Sequence, residues 1–165
     1  MSIDLFFKVW YSKENVESIL CLMKILIDAD ACPVVDIAVR LAKEFNNECI
    51  ILCDTAHYIE RESAVTVTVE KGADSVDFKL VNMVNEGDIA VTQDYGLAAM
   101  CLAKKAVPIN QNGLIFNDKN IEKLLYTRFL SKKIRMAGGR TKGPKKRTRE
   151  QDIDFEKTLR MLLEG

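Results

Sequence analysis

From Met23 onward, short continuous apolar runs alternate with stretches whose apolar residues recur every three or four positions. A short apolar run bounded by turn residues reads as a buried strand, and the longer repeat reads as one face of a helix. ILIDAD is therefore strand-like and PVVDIAVRLAKEF helical, with Pro33 in the first turn, where its missing N–H costs nothing. CIILCD predicts a second strand, and AVTVTVE, after an irregular stretch around His57, a third. SVDFKLVNMV predicts a helix, DIAVTQ a fourth strand, YGLAAMCLAKKA another helix and VPIN a short fifth strand. This alternation predicts an α/β three-layer sandwich: a mainly parallel central sheet of about five strands, with helices on both faces joined by right-handed crossovers.

The two ends depart from the pattern. Residues 1–22, MSIDLFFKVWYSKENVESILCL, carry apolar clusters, but Lys8 and the run SKEN interrupt them before either reaches the length of a signal core or membrane span. They read as an extension in front of an α/β domain over 23–131, or equally as an extra helix packed on that domain. Residues 132–149, KKIRMAGGRTKGPKKRTR, hold many Lys and Arg and no acid, and their Gly and Pro argue against a helix beyond Ala137, which predicts a basic loop. In residues 150–165, Phe155, Leu159, Leu162 and Leu163 share one helical stripe, as expected of a final helix docked on the same domain.

Composition narrows the class without deciding the chemistry. The 165 residues, 48% hydrophobic, suit one globular domain with a real core. The 24 Lys and Arg balance the 24 Asp and Glu, so any preference for polyanions depends on where the charges lie. The five cysteines form no CxxC pair, which indicates neither a disulfide framework nor a zinc knuckle and suits a reducing cytoplasm.

The acids are placed with more purpose. In a parallel α/β sheet the site lies at the carboxyl ends of the strands, where strand order reverses. Asp28 and Asp30 end the first strand and, two apart, point to one face. Like charges held so close raise each other's pKa unless a cation or hydrogen bonds offset them. Asp54 follows the second strand and Asp94 the fourth, while Asp74 and Asp77 share the first turn of the helix after the third. Taken singly, Asp54, Asp74 and Asp94 sit where caps and turns favour Asp, and Asp88 in NEGD suits a turn. A cap accounts for only one of Asp28 and Asp30.

A cleft ringed by carboxylates, in a chain with one histidine, suits Mg2+ or Mn2+ better than zinc. Two-metal phosphodiester hydrolysis needs several carboxylates and no protein nucleophile. The expected catalytic set is Asp28, Asp30 and Asp94, with Asp77 and Asp74 completing the metal ligands. Asp54, His57, Cys32 and Thr92 form a possible rim. Cys32 sits where a helix N-terminus could activate a thiol, although a small residue packed at a strand-to-helix junction is the preferred reading. Arg140, Lys142, Lys145, Lys146 and Arg147 of the basic loop would attract a nucleic-acid backbone through charge, with little aromatic stacking.

DADACPV, GADSVDFKLV, GDIAVTQDYGLA and the late RTKGP resemble the YaiI/YqxD family of bacterial proteins, from Met23 to near the C-terminus. The resemblance implies a PIN-like Rossmannoid sheet, with Asp28, Asp30, Asp77 and Asp94 matching the acidic positions that PIN-like nucleases use for metal. Activity implied through a fold is an analogy. Two alternatives accompany it. A haloacid-dehalogenase-type phosphatase would use Asp28 as nucleophile, with Thr55 and Lys71 or Lys79 as partners, but Asp94 lacks the acidic neighbour that reading requires. A nucleic-acid-binding protein with a degenerate site would hold metal without turnover. The sequence thus predicts a cytoplasmic, metal-dependent nuclease-like phosphodiesterase acting on nucleic acid, RNA ahead of DNA, with no membrane partner and with oligomers open.

Overall fold

The computed structural model describes residues 23–30, 32–70, 72, 75–140, 143 and 146–165. The extension over 1–22 lies outside the described residues, as do Lys71, Asp74, Lys142 and Lys145. The elements are β1 (Ile25–Asp28), α1 (Val35–Glu44), β2 (Cys49–Asp54), β3 (Val65–Val69), α2 (Ser75–Met83), β4 (Ile89–Val91), α3 (Tyr95–Ala103), β5 (Val107–Ile109), α4 (Asp118–Met136) and α5 (Arg149–Glu164).

All five strands run parallel in the order β3-β2-β1-β4-β5. Central β1 aligns Ile27 with Ile51 of β2 on one side and Val91 of β4 on the other. Successive residues feed opposite faces. Ile25 and Ile27 enter a core with Ala38, Leu41, Phe155 and Leu159, beneath α1 and α5. Leu26 enters a second core with Leu80, Val84, Leu97 and Cys101, beneath α2 and α3. Burial on both faces is why β1, β2 and β4 read as continuous apolar runs, whereas edge strand β3 alternates and stays partly exposed.

Three boundaries differ from the sequence expectation. Pro33 precedes the first helix instead of opening it, because Val34 is the N-cap and the helix begins at Val35. The fourth strand stops at Val91, where Thr92 turns its side chain to other partners. The basic stretch begins inside a helix, since Lys132, Lys133 and Arg135 belong to the end of α4. That helix closes at Ala137, and Gly138 follows at φ +81°, the left-handed conformation that glycine adopts freely.

The apolar pattern does not announce α4. Its start is marked by Asn117, whose side chain accepts from the N–H groups of Lys119 and Asn120 while Asn120 reaches back to the Asn117 N–H, a reciprocal cap. Its first turns carry the apolar anchor, where Ile121 and Leu124 join Phe116 and Ala98 of α3. The remainder projects over the carboxyl end of the sheet. On the other side, α5 is tied to α1 by Arg160–Glu44 and by Arg40–Glu156 at 2.8 Å. Gly113 admits α5 closely, for a Cβ there would stand 2.7 Å from the Asp154 carbonyl oxygen. Among the described residues no helix is long and apolar enough to cross a membrane.

Candidate functional site

The carboxyl ends of β1, β2 and β4, the start of α2 and the overhanging half of α4 enclose a cavity of about 660 Å³. Asp28, Asp30, Asp54, Asp77 and Asp94 all line it. The fold brings them together because parallel strands deliver their ends to one edge and the order reverses beside β1. Facing them are Thr127, Arg128, Ser131 and Arg135, which α4 presents at intervals of about one turn.

Thr92 ties the acids to one another. Only 1% exposed, its hydroxyl donates to Asp28 Oδ2 at 2.8 Å and accepts the Asp94 N–H at 3.0 Å. Burial pushes the Asp28 carboxyl up; the Thr92 hydroxyl and the Asp30 N–H oppose that, and the charges of Asp30 and Asp94 reinforce it. The repulsion between Asp28 and Asp30 that the spacing suggests is thus present, but burial is the larger cause.

Asp94 serves two purposes. Its Oδ1 caps α3, accepting the N–H groups of Gly96 at 2.7 Å and Leu97 at 3.1 Å, while Oδ2 accepts from Arg128 Nη1 at 2.8 Å. Partial burial raises this carboxyl, but the Arg128 guanidinium and the two N–H groups outweigh it and hold the pKa below the ordinary value. Asp54 behaves similarly: burial raises it, and hydrogen bonds from the His57 ring and from the N–H groups of Ala56 and His57 bring it low. The His57 Nδ1 stands 2.9 Å from Asp54 Oδ1 and 3.6 Å from Asp30 Oδ1, so this exposed ring bridges two rim carboxylates.

Cys32 is set apart. It lines a neighbouring cavity of about 350 Å³ with Ala29, Pro33, His57, Tyr58 and Ile59, and burial pushes its thiol up to about 11. A thiol held protonated at neutral pH is not an activated nucleophile. The basic loop also departs from expectation. The Arg147 guanidinium donates to Asp152 Oδ1 at 2.7 Å, Asn112 Oδ1 at 2.9 Å and the Gln111 carbonyl at 2.7 Å, so it clamps α5 to the 110–114 turn instead of facing solvent. Arg140 and Lys146 are exposed, and neither lines the cavity. Among the described residues the cations that do are Arg128 and Arg135, for which the 127, 128, 131, 135 spacing following a capped start is the signal in the sequence.

The donor set fits a hard divalent cation, because carboxylates supply it and, among the described residues, no histidine or cysteine lines the cavity. In this arrangement no three His, Cys, Asp or Glu among the described residues stand close enough to hold one ion together.

A family model described as "Uncharacterized BCR, YaiI/YqxD family" matches residues 26–165. The chain belongs to the YaiI/YqxD family. A UPF0178 protein of Exiguobacterium sibiricum is 55% identical over 141 residues, covering 86% of this chain and 96% of the relative. A UPF0178 protein of Ruminiclostridium cellulolyticum is 52% identical over 141 residues, covering 86% of this chain and 92% of the relative. Neither name states an activity. No solved structure matches the chain. In this YaiI/YqxD member, residues 1–22 lie outside the span that the family model covers.

Proposed function

We propose that this protein is a divalent-metal-dependent, nuclease-like phosphodiesterase of the cytoplasm, acting on RNA in preference to DNA. The observation that carries the reading is the gathering of Asp28, Asp30, Asp77 and Asp94 in one cavity opposite Arg128 and Arg135. Acids of the kind that bind Mg2+ or Mn2+, set across from guanidinium groups that suit a phosphate, are the two halves of a phosphodiester site. The resemblance to PIN-like nucleases supports the same assignment. A bound cation supplies water activation and neutralisation of the phosphate charge. The chain's own part is positional: Thr92 orients Asp28, the N-terminus of α3 orients Asp94, and Arg128 and Arg135 offset the charge of a phosphate drawn toward acids that repel it. The buried, reduced cysteines Cys49, Cys53 and Cys101 suit the cytoplasm.

A second reading, metal and nucleic-acid binding without turnover, draws on the Arg128–Asp94 ion pair, which occupies an oxygen that a catalytic ion would use. The phosphatase reading has less behind it: neither Thr55 nor Lys79 lines the cavity, and burial disfavours the ionised Asp28 that a nucleophile requires. The deciding experiment incubates the full chain with RNA and DNA oligonucleotides in Mn2+, Mg2+ or chelator. Cleavage that depends on metal and is lost in Asp28→Asn supports the nuclease reading. Metal-dependent binding without cleavage moves the protein to the second.

A further inference from the structure

We propose that the outer face of α4 is an interface between two copies of this chain, paired antiparallel. Glu122, Tyr126, Phe129 and Lys133 follow one another at intervals of four, three and four residues, which sets them on a single stripe of the helix. All four are exposed, Tyr126 at 61% and Phe129 at 51%. Other surfaces of the same helix are spoken for: Ile121 and Leu124 dock it on α3, and Arg128, Ser131 and Arg135 line the cavity. Among the described residues the outer stripe has no such assignment, yet Leu125, Leu130 and Met136 widen it with further exposed apolar surface. Contiguous patches of this kind on soluble proteins mark interaction sites.

The order of the stripe identifies the partner. Acid, ring, ring, base reads the same from either end once the charges are exchanged. Two such helices set antiparallel about a twofold axis between positions 127 and 128 bring Tyr126 of each copy against Phe129 of the other. The same register brings Glu122 against Lys133 at both ends and Leu125 against Leu130 beside the rings. A parallel pairing would oppose Glu122 to Glu122 and Lys133 to Lys133, so charge selects the antiparallel arrangement. Intervals of three and four are those of helices packed side by side at about 20°, and a self-complementary patch closes into a twofold dimer without leaving a free edge. Lys133 Nζ already lies on this surface, 4.8 Å from the centre of the Phe129 ring. Because the seam backs the wall that carries Arg128 and Arg135, the second copy would brace the cavity without covering it.

Sedimentation velocity on the full chain over a range of concentrations tests the interface. The expected result is a concentration-dependent dimer that Phe129→Asp disrupts. Glu122→Lys and Lys133→Glu should each weaken it about tenfold or more, and the two combined should restore it by exchanging the charges. These positions are exposed, so circular dichroism should report an intact fold in every variant; were Phe129→Asp to misfold, the charge exchange still decides. A wild-type chain that stays monomeric throughout, or a combined variant no tighter than the single ones, overturns the proposal.

Discussion

Arg128 Nη1 stands 2.8 Å from Asp94 Oδ2, joining the helix that overhangs the cavity to the acid that caps the helix beneath it. The pair holds the Asp94 carboxyl low and at the same time occupies Oδ2, the oxygen that does not cap α3.

Replacing Arg128 by Ala should therefore separate two effects. With its outer oxygen released, Asp94 should bind a divalent cation more tightly, and the rise in Tm on adding Mn2+ should exceed that of the wild type; Asp94→Asn should lose that rise. Oligonucleotide affinity should fall, with the slope of log K against log salt smaller by about 0.7 to 0.9. In chelator the stability should change by no more than about 1 kcal/mol, since the pair is partly exposed. Equal Mn2+ shifts in the wild type and Arg128→Ala would show that the pair does not compete with metal.

Asp28 should make stability fall as pH rises. Its pKa is raised in the folded chain, so between the ordinary carboxylate value and the folded one the native state binds the extra proton. Stability is greatest below the ordinary value and is lost as pH climbs through the folded pKa. Asp28→Asn, which keeps an acceptor for the Thr92 hydroxyl, should raise Tm by roughly a few degrees at neutral pH in chelator, and the gain should vanish in acid. Melting curves of both proteins across pH decide it, and a gain independent of pH would point to some other cause.

Thr92→Val preserves shape and removes both hydrogen bonds of a buried hydroxyl. The Asp28 carboxylate loses a donor and the Asp94 N–H an acceptor, at an expected cost of about 1 to 3 kcal/mol in urea unfolding. The metal response should weaken as well, although Thr92 does not itself line the cavity. An unchanged metal response with lowered stability would confine Thr92 to a role in folding.

Within the basic segment, Arg147 should act on stability and its neighbours on charge. Arg147→Met breaks contacts to Asp152, Asn112 and the Gln111 carbonyl and should cost about 1.5 to 3 kcal/mol while leaving oligonucleotide affinity in place. Arg140→Ala and Lys146→Ala, at exposed positions, should leave Tm unchanged and each lower the salt slope by about 0.7 to 0.9 where the side chain meets a phosphate. Fluorescence anisotropy against salt, alongside urea curves, tells the two behaviours apart.

The strands and the acids at their ends were legible in the sequence for one physical reason. A strand buried on both faces must be apolar throughout, so ILID, CIIL and IAV stand out, and a carboxylate that ends such a run has to lie at the edge of the sheet. Phe155 and Leu159 were legible in the same way, from the stripe by which their helix docks. Helix α4 was not. Beyond Ile121 and Leu124 it buries little, its apolar residues look outward as well as inward, and no single stripe sets it apart from a charged loop. Long-range pairing decided the rest. Arg128 meets an acid 34 residues earlier in the chain, and Arg147 meets a turn 35 residues earlier, so which cation faces the acids and which holds the fold depends on how α4 and α5 pack. Local sequence governs burial and the path of the backbone; the partner of a charge is set by tertiary packing, because a guanidinium on a long flexible stem can serve any acceptor the fold brings within reach.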